Sequence, residues 1–331
     1  MCRCAPRNPS YTMASPSLHR SSTERSRLGE GVTFALWFSH FAPLSSLSRH
    51  LSTHSLLSAS SLRHRDPRPA PLPGCRRLSG ASLAGVLDGR RILVTGGSSG
   101  IGRALVLAYA SHRASVFAVA RREEALRAVA EAAPPGRVTG VAADVASEPG
   151  RRAVATAVDH AGGALDVVVH AAGALGPVGP AAHLAHYPAD AWDRVLAINL
   201  SAVHLLHQRL AGFLERGRRP ALIGVSSTVG RRGRGGWGAY AVSKHALEGW
   251  LQVLADEWGE RGRVYSVNPG ATRTPMRAEA VPGEDPAALP SPEEITPLFL
   301  RLAHPDAPEP SGIQLEARSW LGRDPWEGLP L

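Results

Sequence analysis

The sequence predicts a doubly wound α/β fold, a single parallel sheet with helices on both faces. Three observations predict it. Short apolar runs alternate with segments of helical period from residue 90 to residue 270. The runs are apolar on both parities, as strands buried on both faces are. A glycine-rich turn, TGGSSGIG (95–102), joins the first run to the first helical segment.

The elements follow in order. RRILVTGG (90–97) is a strand that ends in glycine, and IGRALVLAYASH (101–112) has helical spacing. ASVFAVA (114–120) is the second strand. REEALRAVAEAA (122–133) is a helix stopped by Pro134-Pro135. RVTGVAAD (137–144), LDVVVHAAG (165–173), PALIGVSS (220–227) and GRVYSVNPG (262–270) continue the strands. RRAVATAVDHAG (151–162) is a helix. Two long helices are predicted over 191–217 and 239–260. Segments 174–190 and 275–297 look irregular, and GIQLEA (312–317) reads as a last strand.

The net charge of +9 is not a property of this domain. Residues 1–85 hold eleven arginines against three acids, whereas the remainder holds 26 basic and 25 acidic residues. A nucleic-acid role needs a basic face on the domain itself, so none is expected. Cys2, Cys4 and Cys75 all fall in the same segment, leaving the domain without a disulfide framework or thiolate metal site. Nothing reaches the ~18 apolar residues of a membrane span. Residues 1–85 are expected to be a disordered or weakly structured Arg/Ser-rich extension, and 86–331 the nucleotide-binding domain. The extension reads as lying outside the fold and as the product of an upstream start choice; a transit peptide or an acid-binding tail are the alternatives.

In the glycine turn, Gly96 permits a tight bend, Gly100 close approach of a phosphate, and Gly102 close helix–strand packing. The pyrophosphate then meets free N–H groups at the helix start. The second strand ends in Ala120-Arg121, with no acid to accept a ribose 2′-hydroxyl. Arg121 can pair with a 2′-phosphate, favouring NADP(H) over NAD(H). A solvated surface charge is its plain alternative.

Lys244 is the only lysine in the chain, four residues after Tyr240. At that spacing the two share a helix face. A phenol titrates near pH ~10, and a neighbouring cation favours the phenolate. The ammonium also suits ribose hydroxyls where a guanidinium differs in shape and hydration. Ser227, at the end of the fifth strand, can donate to a substrate carbonyl oxygen; Ser226 is its neighbour, and a strand cap is the alternative. The domain's two asparagines are Asn199, inside a long helix, and Asn268, opening NPG at the end of the sixth strand. Each has a structural alternative: a buried hydrogen-bonded helix residue for Asn199, a turn former for Asn268.

Taken in this order and spacing, TGGSSGIG, Asp144, HAAG, Asn199, Ser227, YAVSK and NPGATRT resemble the short-chain dehydrogenase/reductase family over about residues 87–318, and within it the bacterial YciK-type oxidoreductases. The resemblance implies a Rossmann-like fold and reversible hydride transfer between NAD(P)H and a carbonyl or alcohol. It implies Tyr240 as acid–base, Lys244 as its pKa modulator and ribose ligand, Ser227 as carbonyl orienter and Asn199 as holder of a proton-relay water. Asp144 would bond the adenine amine, with Val145 beside it, and Ala172 and Gly173 would line the adenosine side. Ser98, Ser99 and Ile101 complete the glycine loop's contacts; Pro269, Gly270, Thr272 and Thr274 would hold the carboxamide and phosphates. A homodimer or homotetramer through the two long helices is implied, and a cytoplasmic location expected, or an organelle if residues 1–82 are a transit peptide. Where the family reads Asn-Asn-Ala-Gly, this chain has His170-Ala171-Ala172-Gly173. The second asparagine ties the central strands there, so its tie is expected to be missing.

Two H-x-x-H pairs, His183/His186 and His204/His207, lack a completing ligand, and no metal is expected. RRGRGG (231–236) resembles an RNA-binding Arg-Gly tract but is a single short loop; it reads as a surface loop at the active-site mouth, with an anionic substrate group as its target if it has one. The competing functions are a 3-oxoacyl-thioester reductase, and an NADP(H)-sensing scaffold without turnover. The substrate itself is not readable.

Overall fold

The structure, a computed structural model, describes residues 85–330. The expected extension, its cysteines and its targeting alternatives lie outside the described residues. Seven parallel strands form one sheet in the order β3-β2-β1-β4-β5-β6-β7. They are β1 Arg91–Thr95, β2 Ser115–Ala120, β3 Val138–Ala142, β4 Val167–His170, β5 Ala221–Val225, β6 Arg263–Asn268 and β7 Gln314–Glu316. The order reverses at β1, which pairs with both β2 and β4. That switch opens a crevice beyond the carboxyl ends of the strands.

Each central strand divides its side chains between two cores. Ile92, Val94, Val167, Val169 and Ile223 face one side, with Leu105 and Tyr109 of α1 (Gly100–Ser111) and Leu298 and Phe299 of α8 (Thr296–Ala303). Leu126 and Val129 of α2 (Glu123–Ala132) join them. Leu93 and Val168 face the other side, against Val154 and Val158 of α3 (Glu148–His160) and Leu206 and Leu210 of α5 (Ala202–Glu215). Leu222 and Val264 meet Leu247 and Leu251 of α6 (Gly238–Trp258). Helices therefore cover both faces, which is why the strands are apolar on both parities.

The amino-terminal end of the sheet is fixed by one carboxylate. Asp166, 1% exposed, accepts from the backbone N–H of Arg91 at 2.8 Å and of Arg218 at 2.6 Å. The Arg90 guanidinium lies 3.8 Å away. The carboxyl ends are left for the site.

Three departures from the expected elements have identifiable causes. α3 starts three residues before the expected 151, because Ser147 caps it, accepting from Gly150 N–H at 3.1 Å. The expected helix 191–217 is α4 (Ala189–Leu196) and α5 joined by a π-helical turn, Ala197–Ser201. The expected irregular segment 275–297 contains α7 (Pro275–Ala280), capped by Thr274, whose hydroxyl accepts from Arg277 N–H at 3.1 Å. Pro275 sits at the first helical position, where a missing N–H costs nothing.

Candidate active site

The glycine turn carries β1 into α1. Gly96 has φ +73°, and a Cβ there would come within 2.9 Å of the Ala172 backbone. A Cβ on Gly102 would lie 2.2 Å from the Gly96 carbonyl oxygen. The loop therefore seats the start of α1 directly against β1 and the end of β4. Ser99 precedes α1 without capping it through its side chain, and no acid occupies the first turn. The first N–H groups of α1 remain for an external anion.

Beside this turn lies a cavity of about 450 Å³. Gly96, Ser98, Ser99, Arg121, Asp144, Val145, Ala172 and Gly173 line it, with Arg122, Arg194 and Glu279 as further charged residues. Arg121 is exposed at the end of β2, and the acids nearest in sequence, Glu123 and Glu124, are carried onward by α2. The tight glycine cradle, the uncapped helix start and the exposed guanidiniums of Arg121 and Arg122 at the strand end fit a phosphorylated dinucleotide.

A second cavity, of about 700 Å³, adjoins it across Leu175 and Met276, which line both. Ser227, Tyr240 and Ile101 line it, as do Pro269, Gly270, Thr272 and Thr274. Gly100 packs behind Thr274, whose Cγ2 would lie 3.3 Å from a Cβ there.

Tyr240 and Lys244 lie together in α6, with Lys244 Nζ 5.7 Å from the centre of the tyrosine ring. The ammonium, 5% exposed, donates to the Val225 carbonyl at 2.8 Å. Gly173, in the lining of the smaller cavity, approaches this pair. A Cβ there would sit 3.5 Å from Asn199 Oδ1 and 4.0 Å from Lys244 Nζ.

The electrostatics depart from expectation. Burial pushes the Tyr240 phenol above its ordinary value, and the hydrogen bond with the Ser227 hydroxyl pulls the other way. The net shift is therefore upward, against the lowering expected from Lys244. A buried phenolate loses its hydration, and one of the ammonium's three N–H groups is turned to the Val225 carbonyl. Burial also pushes Lys244 down to about 8, with Glu248 pulling it back up.

Asn199 sits in the π-helical turn, the kind of helix irregularity that accompanies functional sites. Its Oδ1 accepts from Ala174 N–H at 2.8 Å, and its Nδ2 donates to the Ala174 carbonyl at 2.9 Å and to Ser243 Oγ at 2.9 Å. The side chain thus clamps the loop after β4 onto α6. Both Nδ2 hydrogens are engaged, and Oδ1 keeps one acceptor position. The expected missing tie between the central strands is replaced. Thr95 Oγ1, at the end of β1, accepts from Ala172 N–H at 3.1 Å and donates to the Val169 carbonyl at 3.5 Å.

A network around the site joins Asn268 and Arg231 to Glu248, Gln314 and Glu316, which were not expected there. Glu248, 4% exposed, accepts from Arg231 Nε at 3.3 Å and Gln314 Nε2 at 2.9 Å. Arg231 also pairs with Glu316. Asn268 Nδ2 donates to Glu316 at 2.8 Å and to Thr228 Oγ1 at 3.0 Å. Glu248 follows Lys244 by four residues, so the helical spacing that paired Tyr240 with Lys244 also contains it. The partners on β7 could not be found that way. Of the H-x-x-H residues, His204 accepts from Trp250 Nε1 at 3.3 Å and His207 packs edge-on against the same ring. Among the described residues, no group of three or more His, Cys, Asp or Glu is placed to hold a metal ion.

Comparison with known proteins matches residues 90–285 to a family model described as short chain dehydrogenase. The uncharacterized oxidoreductase YciK of Escherichia coli K12 is 40% identical over 247 residues, which is 72% of this chain and 95% of that protein. A short chain dehydrogenase of Shigella flexneri 2a, crystallised with NADP, is 39% identical with a TM-score of 0.67, covering 71% of this chain and 99% of that one. One from Escherichia coli CFT073, crystallised with NADPH, is 39% identical with a TM-score of 0.66 over the same shares.

Proposed function

The chain belongs to the short-chain dehydrogenase family, and from that premise we propose that it reduces a carbonyl substrate with NADPH, using Ser227, Tyr240 and Lys244. Membership makes it an NAD(P)-dependent oxidoreductase. The choice of NADPH rests on Arg121 and the absence of an acid at the end of β2, and the NADP- and NADPH-bound relatives support it. The glycine loop and the first turn of α1 would hold the pyrophosphate, Asp144 the adenine edge, and Lys244 the ribose. Residues 86–331 would form the catalytic unit, acting as a homodimer or homotetramer in the cytoplasm.

The single observation that carries the mechanism is that Ser227 and Tyr240 line one cavity, with Lys244 Nζ 5.7 Å from the centre of the tyrosine ring. When bound, the reduced nicotinamide supplies a hydride to the carbonyl carbon. The Ser227 hydroxyl donates to the carbonyl oxygen and holds it beside the phenol. Tyr240 gives its proton to that oxygen as negative charge develops there. A phenol raised by burial is protonated at neutral pH, which suits reduction. Lys244 stabilises the resulting phenolate until a proton returns from solvent. Asn199 positions this machinery, clamping the β4 loop to α6.

The test is Tyr240→Phe, followed by cofactor absorbance across a carbonyl panel and by cofactor fluorescence. Turnover is expected to fall by roughly 10²–10⁴-fold while NADPH binding persists. Unchanged turnover would remove Tyr240 from the chemistry.

A further inference from the structure

The loop between Ser227 and Tyr240 crosses the mouth of the larger cavity and is pinned at both ends. At its start Arg231 is spent on Glu248, Glu316 and the Leu315 carbonyl. At its end the Gly236 carbonyl accepts from Gly179 N–H at 2.8 Å, with Gly236 at φ +81°. Between these anchors Arg232 and Arg234 line the cavity. Neither side chain makes a hydrogen bond or ion pair with another described residue, and both are exposed.

The charge of the cavity follows from its lining. Three arginines, Arg232, Arg234 and Arg277, line it, and no carboxylate does. Arg277 is neutralised by Glu284, held at 2.5 and 2.6 Å. Arg232 and Arg234 therefore leave two uncompensated guanidiniums above a wall of Leu175, Val229, Trp237 and Met276. Ser227 and Tyr240 lie in the same cavity. Guanidiniums in this state favour carboxylate and phosphate oxygens, which they bind in paired hydrogen bonds.

We propose that the substrate is a carbonyl compound with an anionic oxyacid group, separated from the reacting carbon by an apolar segment, and that Arg232 and Arg234 hold that group. The inference rests on the reductase reading of Ser227 and Tyr240. Arg121 lines the other cavity with Asp144 and Val145, whereas Arg232 and Arg234 share theirs with Ser227 and Tyr240. The glycines at 233 and 235 leave room for the anion, since a Cβ at Gly235 would meet nothing within 4 Å.

The experiment uses the full chain with NADPH and matched ketone pairs. Methyl-ketone carboxylates of increasing chain length are each compared with their primary amides. Methyl ketones ending in a phosphate monoester, over the same chain lengths, are compared with their alcohols. One member of a pair is expected to exceed its neutral partner in kcat/KM by roughly 10- to 100-fold. In R232Q/R234Q that ratio is expected to collapse through KM, and added salt is expected to shrink it in the parent protein. Preference within the carboxylate pairs identifies a carboxylate, and preference within the phosphate pairs identifies a phosphate. Turnover of ketones without preference for the charged member of any pair overturns the proposal and leaves the reductase reading standing. Saturation-transfer NMR with the same carboxylates and phosphates separates the other case. Binding to the parent but not to R232Q/R234Q, without turnover of any ketone, supports the anion site and overturns the reductase reading. Equal binding to both proteins, or to neither, overturns the anion site.

Discussion

Lys244 carries its charge inside the protein, which makes stability depend on pH. Its folded pKa is about 8, against an ordinary 10.5, with burial as the main cause. Between those values the unfolded chain binds more protons than the folded one, so stability rises with pH across that window. Below about pH 8 the penalty is fully present. Relative to Lys244→Met, the parent protein is expected to gain on the order of 3 kcal/mol between pH 8 and 10.5, read from urea denaturation at stepped pH. A pH-independent difference would show that the ammonium is not paying for burial. The pairing of Tyr240 with Lys244 was legible from spacing alone, and Ser227 from its place at a strand end. The direction of the tyrosine's shift was not, because it depends on how much water the fold removes and where the ammonium turns.

The joint between α4 and α5 shows what sequence pattern reveals of an element and what it hides. The apolar period continues through residues 191–217, so the helix was legible and the π-helical turn within it was not. That turn is set by Asn199 reaching Ala174 and Ser243, residues distant in sequence. Asn199→Ala removes both links and leaves the Ala174 backbone groups without their partner. Expected losses are roughly 2–4 kcal/mol in urea denaturation, with a fall in turnover as the β4 loop loosens. The strands were legible because parallel burial makes them apolar on both faces. α7 was hidden by Pro275, which reads as a breaker except at the first turn of a helix. The substitute tie at Thr95 was hidden because nothing in a threonine's local sequence names the strand it will reach.

At the scale of the whole molecule, the two cavities meet at the carboxyl ends of one sheet whose opposite end is fixed by Asp166. Cofactor bound there stabilises the fold as a unit. At a concentration of ~100 Kd, NADPH is expected to add about 2.7 kcal/mol to the unfolding free energy. The resulting rise in Tm should exceed that given by equal NADH, and Arg121→Ala should bring the two together. Equal shifts in the parent protein would remove Arg121 from cofactor choice. The solitary lysine has a practical consequence of another kind. An endoprotease that cuts only after lysine has one target bond in the whole polypeptide, and α6 keeps it wrapped in the interior. Digestion by such an enzyme should give two fragments, and only at the pace at which the molecule opens, so the chain carries its own gauge of unfolding.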